Sequence, residues 1–188
     1  MAEPARALRA DAARNRARVL EVAYETFAAE GLSVPIDEIA RRAGVGAGTV
    51  YRHFPTKEAL FQAVIKNRMQ RLVDDAYDLL KSEGPGEAIF TFLRSIVLQW
   101  GATDRGLVDA LAGLGIDIGS AAPEAEDAFL AVLADLLRAA QQAGTARQDI
   151  SVREVKAILV GCQAMEAYDS ALAERATDVV VDGLRATR

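Results

Sequence analysis

Ile39-Ala40-Arg41-Arg42-Ala43-Gly44-Val45-Gly46-Ala47-Gly48-Thr49-Val50-Tyr51-Arg52-His53-Phe54-Pro55-Thr56-Lys57-Glu58-Ala59-Leu60 is the stretch on which the reading of this chain turns. Glycine at 44, 46 and 48 breaks any long helix, and Pro55 ends the next segment, leaving a brief helix from about 47 to 53. Upstream, Pro35 suits the first position of a second short helix, because its fixed φ fits and its missing N–H has no partner to lose there. Further upstream, Val19, Leu20, Ala23, Phe27 and Ala28 recur at helical spacing, predicting a first helix over about 12–30 closed by Gly31. Three helices in the first 54 residues, the last two short and joined by a glycine-containing turn, fit the helix-turn-helix plan (about 35–54), whose second helix enters the major groove of DNA.

Downstream the helical period continues. Thr56 caps a long fourth helix carrying Leu60, Phe61, Val64, Ile65, Leu72, Val73, Ala76 and Leu80, which stops at Gly84-Pro85-Gly86. A stripe from Ile89 to Trp100 comes next, then a shorter apolar segment around Leu107, Val108, Leu111 and Leu114, and a Gly/Ala/Ser loop at 113–122. Pro123 opens a helix closed by Gly144, and two more are placed at about 151–168 and 171–185. No segment alternates apolar and polar long enough for a strand. The expected architecture is all-α, about nine helices, with residues 1–57 as a helix-turn-helix domain and 58–188 as a helical domain.

Composition narrows the function classes. Of 188 residues, 51% are hydrophobic and 26% charged, the balance of a chain that buries a core. No uncharged apolar run reaches the roughly 18–20 residues of a membrane span, and the Ala/Arg-rich start lacks the apolar stretch of a secretory signal, so a cytoplasmic protein is expected. One cysteine, Cys162, and one histidine, His53, exclude an internal disulfide and multi-thiolate or multi-histidine metal sites, and leave no nucleophile–base pair for an enzyme. No cofactor is expected. The net charge of −5 hides an asymmetry, since residues 1–72 carry +4 and residues 73–188 carry −9. A basic head on an acidic body suits contact with a polyanion through one end.

The quoted stretch closely resembles the N-terminal domain of the TetR family of one-component transcriptional regulators, whose pattern runs approximately I-A-x-x-A-G-V-S-x-G-T-L-Y-x-H-F-x-S-K-E-x-L. The resemblance covers about residues 14–65, and the remainder matches the family in plan only. It departs at Gly46, where Ser or Thr commonly caps the recognition helix, and at Val34, where Thr often caps the preceding one.

By this resemblance, Thr49, Tyr51, His53 and Lys57 donate to DNA phosphates. Arg52 is the candidate base reader, because a guanidinium can bond bidentately to guanine O6 and N7; a further phosphate contact is the alternative. Gly46, Ala47 and Gly48 at the helix start offer only close approach or methyl contact, so DNA shape carries part of the specificity. Arg6, Arg9, Arg14, Arg16 and Arg18 form a basic arm, with residues 1–10 expected to be disordered without DNA and some of Arg14, Arg16 and Arg18 expected on the backbone.

One short recognition helix per chain implies a homodimer on a palindromic or near-palindromic double-stranded operator. The last two helices are the candidate interface, through Val155, Ile158, Leu159, Cys162, Met165, Leu172, Ala176, Val180 and Leu184, although intramolecular packing accounts for the same stripes. An effector pocket, if present, is expected among Tyr77, Phe92, Ile96, Gln99, Trp100, Leu111, Leu114, Phe129, Leu133 and Leu137, where core packing again explains the same residues. The resemblance implies a homodimeric repressor released by a small, largely apolar ligand. The competing reading is a helical protein-interaction module that does not bind DNA.

Overall fold

The computed structural model describes residues 3–100 and 123–186, which form eight α-helices and one π-helical turn. The ninth expected helix, around Leu107–Leu114, lies outside the described residues. They divide into two compact units, one ending at Asn67, the other made of residues from Arg68 to Trp100 and from Pro123 onward.

In the first unit α1 spans Glu3–Glu30. It begins well before the expected start near residue 12. Its opening turns are mostly alanine, arginine and leucine, all strong helix formers, with no glycine to stop them. From Asp11 to Arg18 the helix is exposed, and a buried stripe follows through Val19, Leu20, Ala23 and Phe27. Gly31, at φ 75°, ends the helix by donating its N–H to the Phe27 carbonyl at 3.0 Å.

α2 (Ile36–Ala43) starts behind Pro35, which occupies the extended N-cap position rather than the first helical turn, and ends at Gly44 in the left-handed region. Asp37 and Glu38 in its first turn and Arg41 and Arg42 in its last complement the helix dipole. α3 (Ala47–His53) begins only a few residues later. α4 (Lys57–Glu83) is capped by Thr56, whose Oγ1 accepts from the Ala59 N–H at 3.1 Å. The unit boundary falls inside α4, ten residues beyond the expected domain edge at Lys57, because Leu60, Phe61, Val64 and Ile65 are buried and Phe61 meets Phe27 edge-on at 5.9 Å.

The second unit continues α4 and adds α5 (Ala88–Ser95), the π-helical turn Ile96–Trp100, α6 (Pro123–Gln142), α7 (Val152–Tyr168) and α8 (Ser170–Gly183). A capping box starts α7, in which Ser151 accepts from the Glu154 N–H and Glu154 accepts from the Ser151 N–H. Only Asp169 separates α7 from α8; its N–H bonds the Met165 carbonyl and its side chain caps α8 through the Ala171 N–H at 2.9 Å. The chain end is tied back: the Arg147 N–H bonds the Leu184 carbonyl and the Ala186 N–H the Thr145 carbonyl, while Arg185 pairs with Glu87 and lies 4.0 Å over the Phe90 ring. One continuous core runs through this unit, from Leu72 and Ala76 through Phe90, Phe92 and Leu133 to Leu159 and Val181. No helix among the described residues is long and apolar enough to cross a membrane.

Candidate nucleic-acid interface

The helix pair α2–α3 is held by a small core. Ile39, Ala40, Ala43, Val50 and Phe54 are buried, while Val45 is half-buried. Val50 is the single buried residue of α3, so one valine and the flanking Phe54 anchor the whole helix. Everything else on it is presented outward: Gly46, Gly48, Tyr51, Arg52 and His53 are exposed, and Ala47, Thr49 and Lys57 half-buried. All eight candidate DNA-contacting residues thus lie at the surface of one short segment. Three can donate through a hydroxyl or a ring N–H (Thr49, Tyr51, His53) and two through a guanidinium or an ammonium (Arg52, Lys57), a donor set suited to phosphate oxygens and base edges.

The N-terminus of α3 has no side-chain cap, since Gly46 supplies none; the Thr49 N–H turns back instead to the Gly46 carbonyl at 2.8 Å. Gly48 has no other atom within 4 Å of where a Cβ would stand, and its φ is not positive. Among the described residues nothing therefore requires a glycine there.

Two arginines of the quoted stretch are used structurally. Arg42 reaches Glu30 at the end of α1 and also donates from Nε to Glu38 at 2.7 Å, while Arg41 grips the same Glu38 through Nε at 2.8 Å and Nη2 at 2.7 Å. The Arg41 and Arg42 guanidinium groups hold the Glu38 carboxyl down at about 2, and Arg42 likewise lowers Glu30. This clasp fastens α2 to α1 and is not legible in the sequence, because Glu30 lies twelve residues from Arg42 and no helical period links them.

Comparisons with known proteins agree with this geometry. Residues 19–64 match the tetR family of bacterial regulatory proteins, and residues 84–186 match the C-terminal domain of SbtR-like transcriptional regulators. The chain belongs to the TetR family. It is 33% identical over 145 residues to the HTH-type transcriptional regulator SrpR of Pseudomonas putida, covering 74% of this chain and 67% of that protein. The crystal structure of a TetR transcription regulatory protein from Mycobacterium vanbaalenii superposes with a TM-score of 0.79 at 62% identity, over 95% of this chain and 99% of that one. A TetR transcriptional regulator from Streptomyces coelicolor gives a TM-score of 0.76 at 36% identity, over 92% and 99%. The chain is accordingly a DNA-binding transcriptional regulator and not an enzyme, with the helix-turn-helix at α2–α3.

In the second TetR unit the candidate pocket residues are placed differently from one another. Phe92, Ile96, Phe129, Leu133 and Leu137 are buried in the common core, with the Phe92 and Phe129 rings 6.3 Å apart. Tyr77 is at the surface and donates its hydroxyl to Asp135 at 3.0 Å. Leu111, Leu114 and the side chains of Gln99 and Trp100 lie outside the described residues. A small part-open cleft, about 10 Å³ or room for one water, opens elsewhere, among Leu93, Val97, Cys162, Thr177 and Val181. Thr177 Oγ1 is buried there without a hydrogen-bond partner, and burial pushes the Cys162 thiol up.

The candidate interface residues also separate. Val155, Leu159, Cys162 and Leu184 are buried in the core of the same chain. Ile158, Ala176 and Val180 are half-buried, while Met165 and Leu172 are exposed. The outward apolar face of the α7–α8 hairpin includes two residues outside the sequence-based expectation, Val160 at 55% exposed and Tyr168 at 91%, beside Leu172 at 59% and Val179 at 66%. Ala157, Gly161 and Ala164 lie on the same side of α7, all exposed. Positions 157, 160, 161, 164 and 168 repeat at helical spacing, so the signal is present but shadowed by a second apolar stripe on the same helix.

Proposed function

We propose that this TetR-family regulator binds an inverted-repeat operator as a homodimer and acts as a repressor released by a small, largely apolar ligand. The observation that carries the reading is the division of labour on α3: Val50 holds the helix inward and Thr49, Tyr51, Arg52 and His53 are left on its accessible sides. In this reading Thr49, Tyr51, His53 and Lys57 grip phosphates, Arg52 reads a base, and Gly46, Ala47 and Gly48 let the helix start approach the groove closely. The dimer forms through the outward face of α7 and α8, where Val160, Met165, Tyr168, Leu172 and Val179 are apolar and exposed. Large apolar side chains gathered in this way on one helical hairpin are what a subunit interface removes from water.

The boundary between the two units falls within α4, Lys57–Glu83, so in this reading a ligand acts on DNA binding by displacing the part of α4 that belongs to the second unit. The test is selection of duplexes from a random pool by the purified protein at near-physiological salt, with sequencing and titration of the enriched site. An inverted repeat bound by two chains is the expected result. No enrichment, with no binding at low salt, would overturn the assignment and leave the helix-turn-helix as a scaffold.

A further inference from the structure

The N-terminal part of α1 carries a cluster of arginines. From Asp11 to Arg18 every residue is exposed, and a buried stripe follows from Val19. The helix runs from Glu3, sixteen residues before Val19, or about 24 Å at 1.5 Å per residue. That segment holds Arg6, Arg9, Arg14, Arg16 and Arg18 against Glu3 and Asp11. Arg14 pairs with Asp11 one turn earlier, an exposed contact that a phosphate replaces at little loss. The root of the segment lies beside the helix-turn-helix. The Arg16 guanidinium lies 5.4 Å from the centre of the Phe54 ring, directly after α3, and Arg18 Nη2 stands 3.8 Å from where a Cβ on Gly44 would be, in the turn before α3. Arg41 and Arg42, by contrast, are occupied by Glu38 and Glu30.

We propose that this basic helical extension is a second DNA-contacting element, which lies along the phosphate backbone outside the half-site read by α3. The inference rests on the DNA-binding reading above and adds the flanking duplex to it. Arginines on a preformed helix reach phosphates at a smaller loss of chain entropy than a disordered arm, and they carry no base preference of their own. A rod of about 24 Å matches about seven base pairs of duplex at 3.4 Å each.

The experiment compares the wild type with an Arg14→Gln/Arg18→Gln double variant and an Arg14→Lys/Arg18→Lys double variant, each checked for an unchanged thermal melt. Arg16 is left in place because it touches Phe54. Two duplexes carry the selected inverted repeat: one ends at the outermost specified base pair, and the other extends seven base pairs of arbitrary sequence on each side. The wild type should bind the extended duplex at least tenfold more tightly than the short one. The glutamine variant should bind both alike, with the slope of log K against log[salt] on the extended duplex shallower by about 3.6, from about 0.9 for each of four arginines per dimer. The lysine variant should keep most of the wild-type slope, and base preference should not change in either. Equal wild-type affinity for the two lengths, or a wild-type slope in the glutamine variant, would overturn the proposal while leaving binding to the short duplex intact. Absence of wild-type binding to either duplex would instead remove the DNA-binding reading and this proposal with it.

Discussion

Gly48→Ala should move stability and operator affinity in opposite directions. A glycine inside a helix is worse than alanine by about 0.5–1 kcal/mol, because its backbone loses more freedom on folding. The penalty is usually tolerated where φ is positive or a neighbour crowds the Cα, and neither holds at Gly48, whose φ is not positive and around which a Cβ would meet nothing within 4 Å. The alanine variant should therefore be more stable by up to about 1 kcal/mol, seen as a rise of about 1–4 °C in melting temperature for a chain of this size. On DNA the added methyl enters the space that the first turn of α3 shares with the groove edge, and affinity should fall about tenfold, or about 1.4 kcal/mol. No charge is removed, so the salt slope should not change. The assays are a thermal melt of the free protein and titration of the selected operator at several salt concentrations. A variant that is more stable and binds as tightly as wild type would refute the close-approach role of Gly48, and one that is less stable would refute the claim that the protein itself has no need of glycine there.

Arg52→Ala should relax base preference at one position in each half-site, whereas Lys57→Ala should weaken all sequences alike and make the dimer's salt slope shallower by about 2; equal losses on every sequence for Arg52→Ala would assign it to the backbone instead. Val160→Glu places a charge on the outward face of α7 without touching the core and should shift the dimer to monomer in sedimentation while the helical content of each chain stays constant; an unchanged dimer would move the interface elsewhere. Glu38, whose folded carboxyl titrates at about 2 against a usual 4.5 because Arg41 and Arg42 hold its anion, contributes stability above about pH 5 that is lost as pH falls toward 2. Denaturant titrations of wild type and Glu38→Gln should accordingly differ by a constant amount from pH 5 to 7 and converge near pH 2; a gap that persists at pH 2 would mean that the clasp does not act through the carboxylate charge.

The helix-turn-helix is readable in the sequence because its constraints are local. Gly44 takes a left-handed turn at φ 68°, Pro55 sits two residues beyond the end of the recognition helix, and the apolar positions 39, 40, 43, 50 and 54 are spaced so that few alternatives satisfy them. The start of α1 is harder to read for a related reason. Terminal residues without an apolar stripe read as a loose arm, yet a helix already nucleated by Val19, Leu20 and Ala23 extends backward through good helix formers at little further expense. The ion-pair clasp of Arg42 with Glu30 depends on the packing of α1 against α2, and no sequence period encodes it.

The interface residues of the second unit show where periodicity stops deciding. Residues 157–165 of α7 read Ala-Ile-Leu-Val-Gly-Cys-Gln-Ala-Met, nine positions without a charge, so apolar stripes can be drawn down more than one side of the helix. Spacing alone assigns the stripe through Val155, Leu159 and Cys162 to the subunit contact, and the structure spends those residues on the core of the same chain. A helix that needed only its own core would carry polar residues on its other face. On α7 that face instead holds Val160, Gly161, Ala164 and Tyr168, with Leu172 and Val179 beyond the Asp169 turn. Gly161, exposed and uncrowded within a helix, lowers helix stability for no internal reason, as Gly48 does in α3. In both places a small residue lies on a surface with no described side chain within 4 Å of where its Cβ would stand, and in both the economical explanation is a partner that comes close: the DNA groove at α3, and a second copy of the hairpin at α7.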